Sequence, residues 1–225
     1  MPAFASPDRL YFFFDYISHN AWLAWNKIGA IAEKHDLALE PVPVVFGGLL
    51  KAYHQMGPAE VPAKARWMLW NILRKSRLHG IPIAPPATHP FNPLLALRVS
   101  CVELPREKTL ELTQRLFAAA WMQSRALHEE SVVAEVIAEA GLDPAALLAQ
   151  VQSEAVKARL RENTDAALRV GVFGVPSMRV RNELFWGFDD LEYLEAFLDG
   201  RDALGADRSE YLKWFEVQPS VQRKK

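Results

Sequence analysis

Residues 12–25, FFFDYISHNAWLAW, change their hydrophobic period partway along, and Ser18 and His19 stand at the change. Ahead of it, Tyr11 to Phe14 form an unbroken apolar run suited to a buried strand. Beyond it, Trp22, Trp25, Ile28, Gly29 and Ala32 recur on one side of a helix. The stretch therefore predicts a strand over 10–17, a helix over 20–35, and Ser18 at the junction. The next segment, LALEPVPVVF, predicts a second strand over 37–46 and completes a βαβ unit. Pro41 and Pro43 each remove a ladder donor, which puts this strand at an edge or makes it irregular near its middle.

From residue 47 to about 168 the sequence reads as helical. VPAKARWMLWNILRKSRLHG opens on a proline and closes on Gly80, the usual helix punctuation. IPIAPPATHPFNP carries too many prolines for regular structure and predicts an ordered loop. Helices are expected over 94–103, 109–123, 131–140, 144–152 and 154–170. The chain then returns to strands in SMRV and LFWGF, joined by a turn at Arg181 to Glu183, with a last helix over 189–198. A βαβ opening and a ββα closing around a helical block define an α/β, thioredoxin-like fold with a large all-helical insertion. The expected division is 8–46 plus 165–200 for the thioredoxin-like part, 47–164 for the insertion, and 201–225 for a C-terminal extension.

The chain has 225 residues, 50% of them hydrophobic, and 7 tryptophans, enough for a substantial core. Lys and Arg total 26 against 27 for Asp and Glu, so no overall field draws in nucleic acid or an anionic membrane. MPAFASPDRLYFFFDYISHN has no basic start, and Asp15 interrupts its short apolar segment, unlike a secretory signal or a membrane span; a cytoplasmic location is expected. Cys101 is the only cysteine, which rules out a two-thiol redox motif within the chain and reads as a small buried hydrophobe. His19, His35, His54, His79, His89 and His128 are scattered without ligand spacing, and no metal site is expected.

Ser18 would project from a strand-to-helix junction, where free amides and the helix dipole favour negative charge. Taken singly, it is most simply an N-cap. Its neighbour His19 does not make it a hydrolase nucleophile, because adjacent helical residues point apart and no G-x-S-x-G elbow is present. In GVFGVPSM, a cis bond before Pro176 would turn the Val175 backbone toward the Ser18 helix start, ready to pair with an extended peptide ligand. Asp189 falls where the last helix is expected to begin, as an N-cap carboxylate would. Lys51 and Lys64 flank the loop-like HQMGPAEVP, which His54 and Gln55 open; most such surface charge is only solvated. Trp67, Met68, Trp70 and Trp121 read as parts of an ordinary helical core.

Together these segments carry a resemblance. FDYIS with WLAW, GGLLKA leading to VPAKARWM, GIPIAPPATHPFNPLLALR, GVFGVPSM and FWGFDDLEYLEAFL, in this order, resemble the kappa-class glutathione transferases and bacterial 2-hydroxychromene-2-carboxylate isomerases, which share the DsbA-type thioredoxin fold. The resemblance implies glutathione as cofactor, a small aromatic substrate and a homodimer. It maps Ser18 onto the serine that holds the glutathione sulfur, where thioredoxin-like oxidoreductases keep their attacking cysteine. Val175 maps onto the residue whose backbone pairs with the tripeptide, with Pro176 as the structural cis-proline, and Asp189 onto the acid that receives its amino end. Gln55 and Phe188 fall at further cofactor-binding positions, and Lys51, His19 and Trp67 at substrate-binding ones. The family usually carries proline at position 19, asparagine at 55, a small or polar residue at 188 and a basic residue at 190, where this chain has His19, Gln55, Phe188 and Asp190.

A free thiol of pKa about 8.5 is only ~3% ionised at pH 7, and lowering that pKa by ~2 units brings the thiolate to roughly three quarters. The shift corresponds to about 2.7 kcal/mol. A hydrogen bond to a charged group contributes ~1.5–3 kcal/mol and a helix N-terminus ~0.3–1 kcal/mol, so a serine with its helix can supply it. The resemblance thus implies a glutathione-dependent isomerase of an aromatic catabolite, with a kappa-like transferase as the near alternative. A thiol-disulfide oxidoreductase is opposed by the absence of cysteine from ISHNA. A non-catalytic binding module of the same fold remains open.

Overall fold

The computed structural model describes residues 3–205 and 207–220; residue 206 and residues 221–225 of the expected C-terminal extension lie outside the described residues. The elements follow the chain as β1 (Arg9–Phe14), α1 (His19–Lys34), β2 (Ala38–Pro43), α2 (Phe46–Ala52), α3 (Pro62–His79), α4 (Leu94–Val99), α5 (Arg106–Trp121), α6 (Glu130–Glu139), α7 (Pro144–Val151), α8 (Glu154–Arg169), β3 (Ser177–Val180), β4 (Glu183–Trp186), α9 (Leu191–Leu198) and α10 (Ser209–Glu216). The four strands form one sheet in the order β2-β1-β3-β4. β1 runs parallel to β2 and antiparallel to β3, and β4 is antiparallel to β3. This is the thioredoxin-like arrangement with helices α2 to α8 between its two halves.

β1 is an unbroken apolar run because it is covered on both faces. Leu10, Phe12 and Phe14 join the larger core with Trp22, Trp25 and Phe117, while Tyr11 and Phe13 join a second cluster with Val42, Leu49 and Ala167. Burying side chains of this size stabilises by ~1.5–3 kcal/mol each. Of the two places its prolines allow, β2 takes the edge. Its inward amides are those in step with Ala38 and Val44, which donate to Asp8 O and Phe14 O at 2.9 Å each. By the period of two, Pro41 and Pro43 fall on the outward side, where no ladder bond is lost. Asn163 of α8 donates there to Pro43 O at 3.3 Å.

α1 departs from the single expected stripe. Gly29 is exposed, and Ala21 to Trp25 are all buried, because the first turns pack against α3 and α5 as well as the sheet. α4 stops at Val99 rather than 103; the Ser100 hydroxyl that follows bonds back to Ala96 O and meets the Tyr16 hydroxyl at 2.6 Å. The β3–β4 turn places Arg181 and Asn182 at φ 48 and 72, the left-handed pair of a tight hairpin. The last helix begins later than expected, at Leu191 after Asp190. Among the described residues no helix is long and apolar enough to cross a membrane.

Candidate active site

Where β1 gives way to α1, the first amides of the helix need partners. Ser18, in extended backbone, supplies one: its Oγ accepts from Ala21 N at 3.2 Å. The same hydroxyl donates to Val175 O at 3.2 Å. Ser18 is thus an N-cap in fact, but the cap leaves the amides of His19 and Asn20 without a partner among the described residues. On the facing segment the Val175–Pro176 bond is cis, and the Val175 amide also has no partner among the described residues. One hydroxyl and three amides therefore sit together at this helix start.

They open onto a cleft of about 650 Å³ between the sheet and the helical insertion. Ser18, His19, Gln55 and Val175 line it, with Lys64 and Met68 from α3 and Phe173 and Trp186 from the other side. A Cβ on Gly174 would come to 2.5 Å from Trp186 Nε1, so any larger residue here would push that ring aside.

Burial shifts three titrating groups around the cleft, Asp15, His19 and His89, toward their uncharged forms. Asp15 is buried, and desolvation raises its carboxyl to about 7 although Phe46 N and Ile17 N each donate to it at 3.0 Å. Burial, then the neighbouring His89 and Lys75, push His19 down to about 4. His89, on the rim, is lowered by burial and partly restored by its 3.2 Å bond to Ile17 O. Both rings pack edge-on to Trp121, with centroids 5.7 and 5.6 Å away. The thiol of Cys101 is buried and pushed up to about 12, far from a reactive thiolate.

The remaining expected site residues lie apart from the cleft lining. Lys51 is exposed on α2, and Trp67 is 61% exposed on α3. Phe188 is buried with its ring against His79 at 4.8 Å. Asp189 does not cap α9; it pairs with Lys75 at 2.7 Å, and both Phe188 and Asp189 border a second groove beside α1 and α9. Lys75 also reaches Asn20 Oδ1 at 3.4 Å, so the pair adjoins the start of α1. Sequence reasoning did not find Asp15, His89 or Lys75. Only the polar break that Asp15 makes in an apolar run hinted at the first.

A thioredoxin-type sheet with a cis-proline facing a helix start, and with serine there instead of cysteine, defines a class: thioredoxin-fold proteins that lack a redox thiol. The chain belongs to the DSBA-like thioredoxin domain family, whose profile matches residues 9–199. It is 26% identical over 215 residues to glutathione S-transferase kappa 1 of Rattus norvegicus, covering 89% of this chain and 94% of that protein. It is 27% identical over 201 residues to 2-hydroxychromene-2-carboxylate isomerase of Pseudomonas putida, covering 88% and 98%. A solved 2-hydroxychromene-2-carboxylate isomerase superposes with a TM-score of 0.79 at 24% identity, over 93% of this chain and 99% of that one.

Proposed function

We propose that this protein is a glutathione-dependent isomerase of a conjugated aromatic carbonyl compound. The observation that carries the reading is the grouping, at one end of the cleft, of the Ser18 hydroxyl with the amides of His19, Asn20 and Val175, three N–H groups that have no partner among the described residues. A sulfur anion is the ligand such a set suits, and an extended peptide is what the Val175 backbone can pair with. The γ-glutamyl end of glutathione carries one ammonium and one carboxylate, and the Lys75–Asp189 pair offers one charge of each sign. Lys64 in the cleft is available for the second carboxylate. Bound glutathione would supply the sulfur nucleophile for a conjugated carbon.

The residues' own work is to hold that sulfur as an anion and to keep water from it. Ser18 keeps accepting from Ala21 N while its proton turns from Val175 O to the sulfur, which frees the Val175 carbonyl for the ligand's amide. Giving up the old bond costs about 1 kcal/mol, leaving a net of about 1–3 kcal/mol, or ~1–2 pKa units. Phe46, Leu50 and Met68 give the cleft its apolar wall. The same reading carries a cytoplasmic location, where glutathione is kept reduced, and the homodimer that the resemblance implies.

A kappa-like transferase is the second reading, favoured by the rat relative's equal similarity. Calorimetric titration with glutathione, followed by thiolate absorbance in the ultraviolet, tests both. Binding with a thiolate signal that Ser18→Ala diminishes is expected; no binding at millimolar glutathione would leave a non-catalytic module. Product that retains glutathione would mark transfer rather than isomerisation.

A further inference from the structure

His19 occupies the first position of α1, directly after the serine that caps it. Its ring lines the cleft and makes no hydrogen bond among the described residues. It is nevertheless fixed in place. Trp121, held by its Nε1 donating to Tyr16 O at 2.7 Å, packs edge-on against it, and His89 stands 6.5 Å away. The Ile17 carbonyl can only accept, so His89 Nε2 carries the proton in their 3.2 Å bond and the pair keeps its orientation. A helix N-terminus disfavours a positive charge on an imidazole seated there. His19 is therefore a neutral ring with one N–H to offer, braced beside the place where a nucleophile would be held.

We propose that His19 is the hydrogen-bond donor to the carbonyl oxygen of a conjugated aromatic substrate; this rests on the reading above that Ser18 holds a sulfur nucleophile. As the nucleophile's electron pair forms a bond to the conjugated carbon, the C=C π pair moves one bond along and the C=O π pair settles on oxygen. The His19 proton stays on the ring throughout, and the charge it stabilises flows back when the carbonyl reforms. A neutral imidazole at a helix start polarises a carbonyl without protonating it. Loss of one such donor lowers kcat by ~10²–10³-fold. His19 stands where proline is usual in the resembled family, so this donor belongs to this chain rather than to the site in general.

Benzylideneacetone, an aromatic enone, is the probe. Bound together with S-methylglutathione, which has no thiol to react, its carbonyl infrared band is expected to shift to lower frequency in the wild type and in His19→Gln, which keeps an N–H donor. The shift is expected to vanish in His19→Phe, which preserves the packing on Trp121. With glutathione itself, His19→Phe should lose about 100-fold in kcat with little change in KM, while its glutathione affinity and thiolate absorbance stay at wild-type levels. An unshifted band in the wild type, or equal shifts and equal kcat in wild type and His19→Phe with the thiolate signal intact, would overturn the role of His19 and leave that of Ser18 standing. Loss of the thiolate signal from the wild type itself would remove both.

Discussion

Asp15 offers the sharpest test of how the cleft floor is built. Its carboxyl is raised from an ordinary 3.8 to about 7 by burial, so the folded protein keeps a proton that the unfolded chain releases. The sign follows from linkage: a raised acid contributes stability that is full below about pH 4 and is lost as the pH rises through 7. Three pKa units correspond to about 4 kcal/mol. Asp15→Asn removes this dependence but puts an NH₂ group against one of the two amides, Ile17 N or Phe46 N, at a pH-independent cost of ~1–3 kcal/mol. Urea denaturation of both proteins from pH 4 to 8, followed by tryptophan fluorescence, should show the wild type more stable at pH 4. The variant should be the more stable by pH 8, with the difference between them moving by about 4 kcal/mol. Taking the difference cancels the histidines and exposed carboxylates common to both. Curves that stay parallel across this range would mean that Asp15 ionises without penalty, and would refute the account of its burial.

Ser18→Ala removes the cap on Ala21 N as well as the donor, and should cost about 1 kcal/mol of stability, read as a Tm lower by about 2–4 °C. The pKa of bound glutathione should rise by ~1–2 units in the same variant. Gly174→Ala must displace Trp186, which is 50% exposed and free to swing into the cleft; glutathione affinity should fall at least tenfold while stability falls by less than ~1 kcal/mol, a split that calorimetry and denaturation together would reveal. Trp121→Phe leaves the buried Tyr16 carbonyl without its 2.7 Å partner and should cost ~1–3 kcal/mol in urea denaturation.

The opening βαβ unit was legible because the period of the sequence changes within a few residues of Ser18, and proline chemistry narrowed the second strand to an edge or an irregular middle, of which the structure has the edge. The hairpin and the proline-to-glycine bounds of α3 were equally local. What escaped the sequence depends on distant partners. Asp15 reads as the end of an apolar run, and its burial is completed by the Phe46 amide, 31 residues further on. His19 and His89 are 70 residues apart, His89 sits in a proline-rich loop, and its bond to Ile17 O and the packing of both rings on Trp121 bring them together. Lys75 is one of five cations on α3, and nothing in that spacing marks it as the partner of Asp189. The stripe assigned to α1 left out Leu23 and Ala24 because periodicity assumes one buried side, whereas the start of this helix is enclosed by the insertion.

The outer flank of β2 bears on how copies of this protein behave at high concentration. Two of its three outward positions, Pro41 and Pro43, have no N–H to lend, and Asn163 already occupies the Pro43 carbonyl. An incoming strand would find little to zip onto, so runaway cross-β growth is blocked on that side. Replacing both prolines with threonine would restore the missing donors and make this border of the molecule the first place to look for fibres.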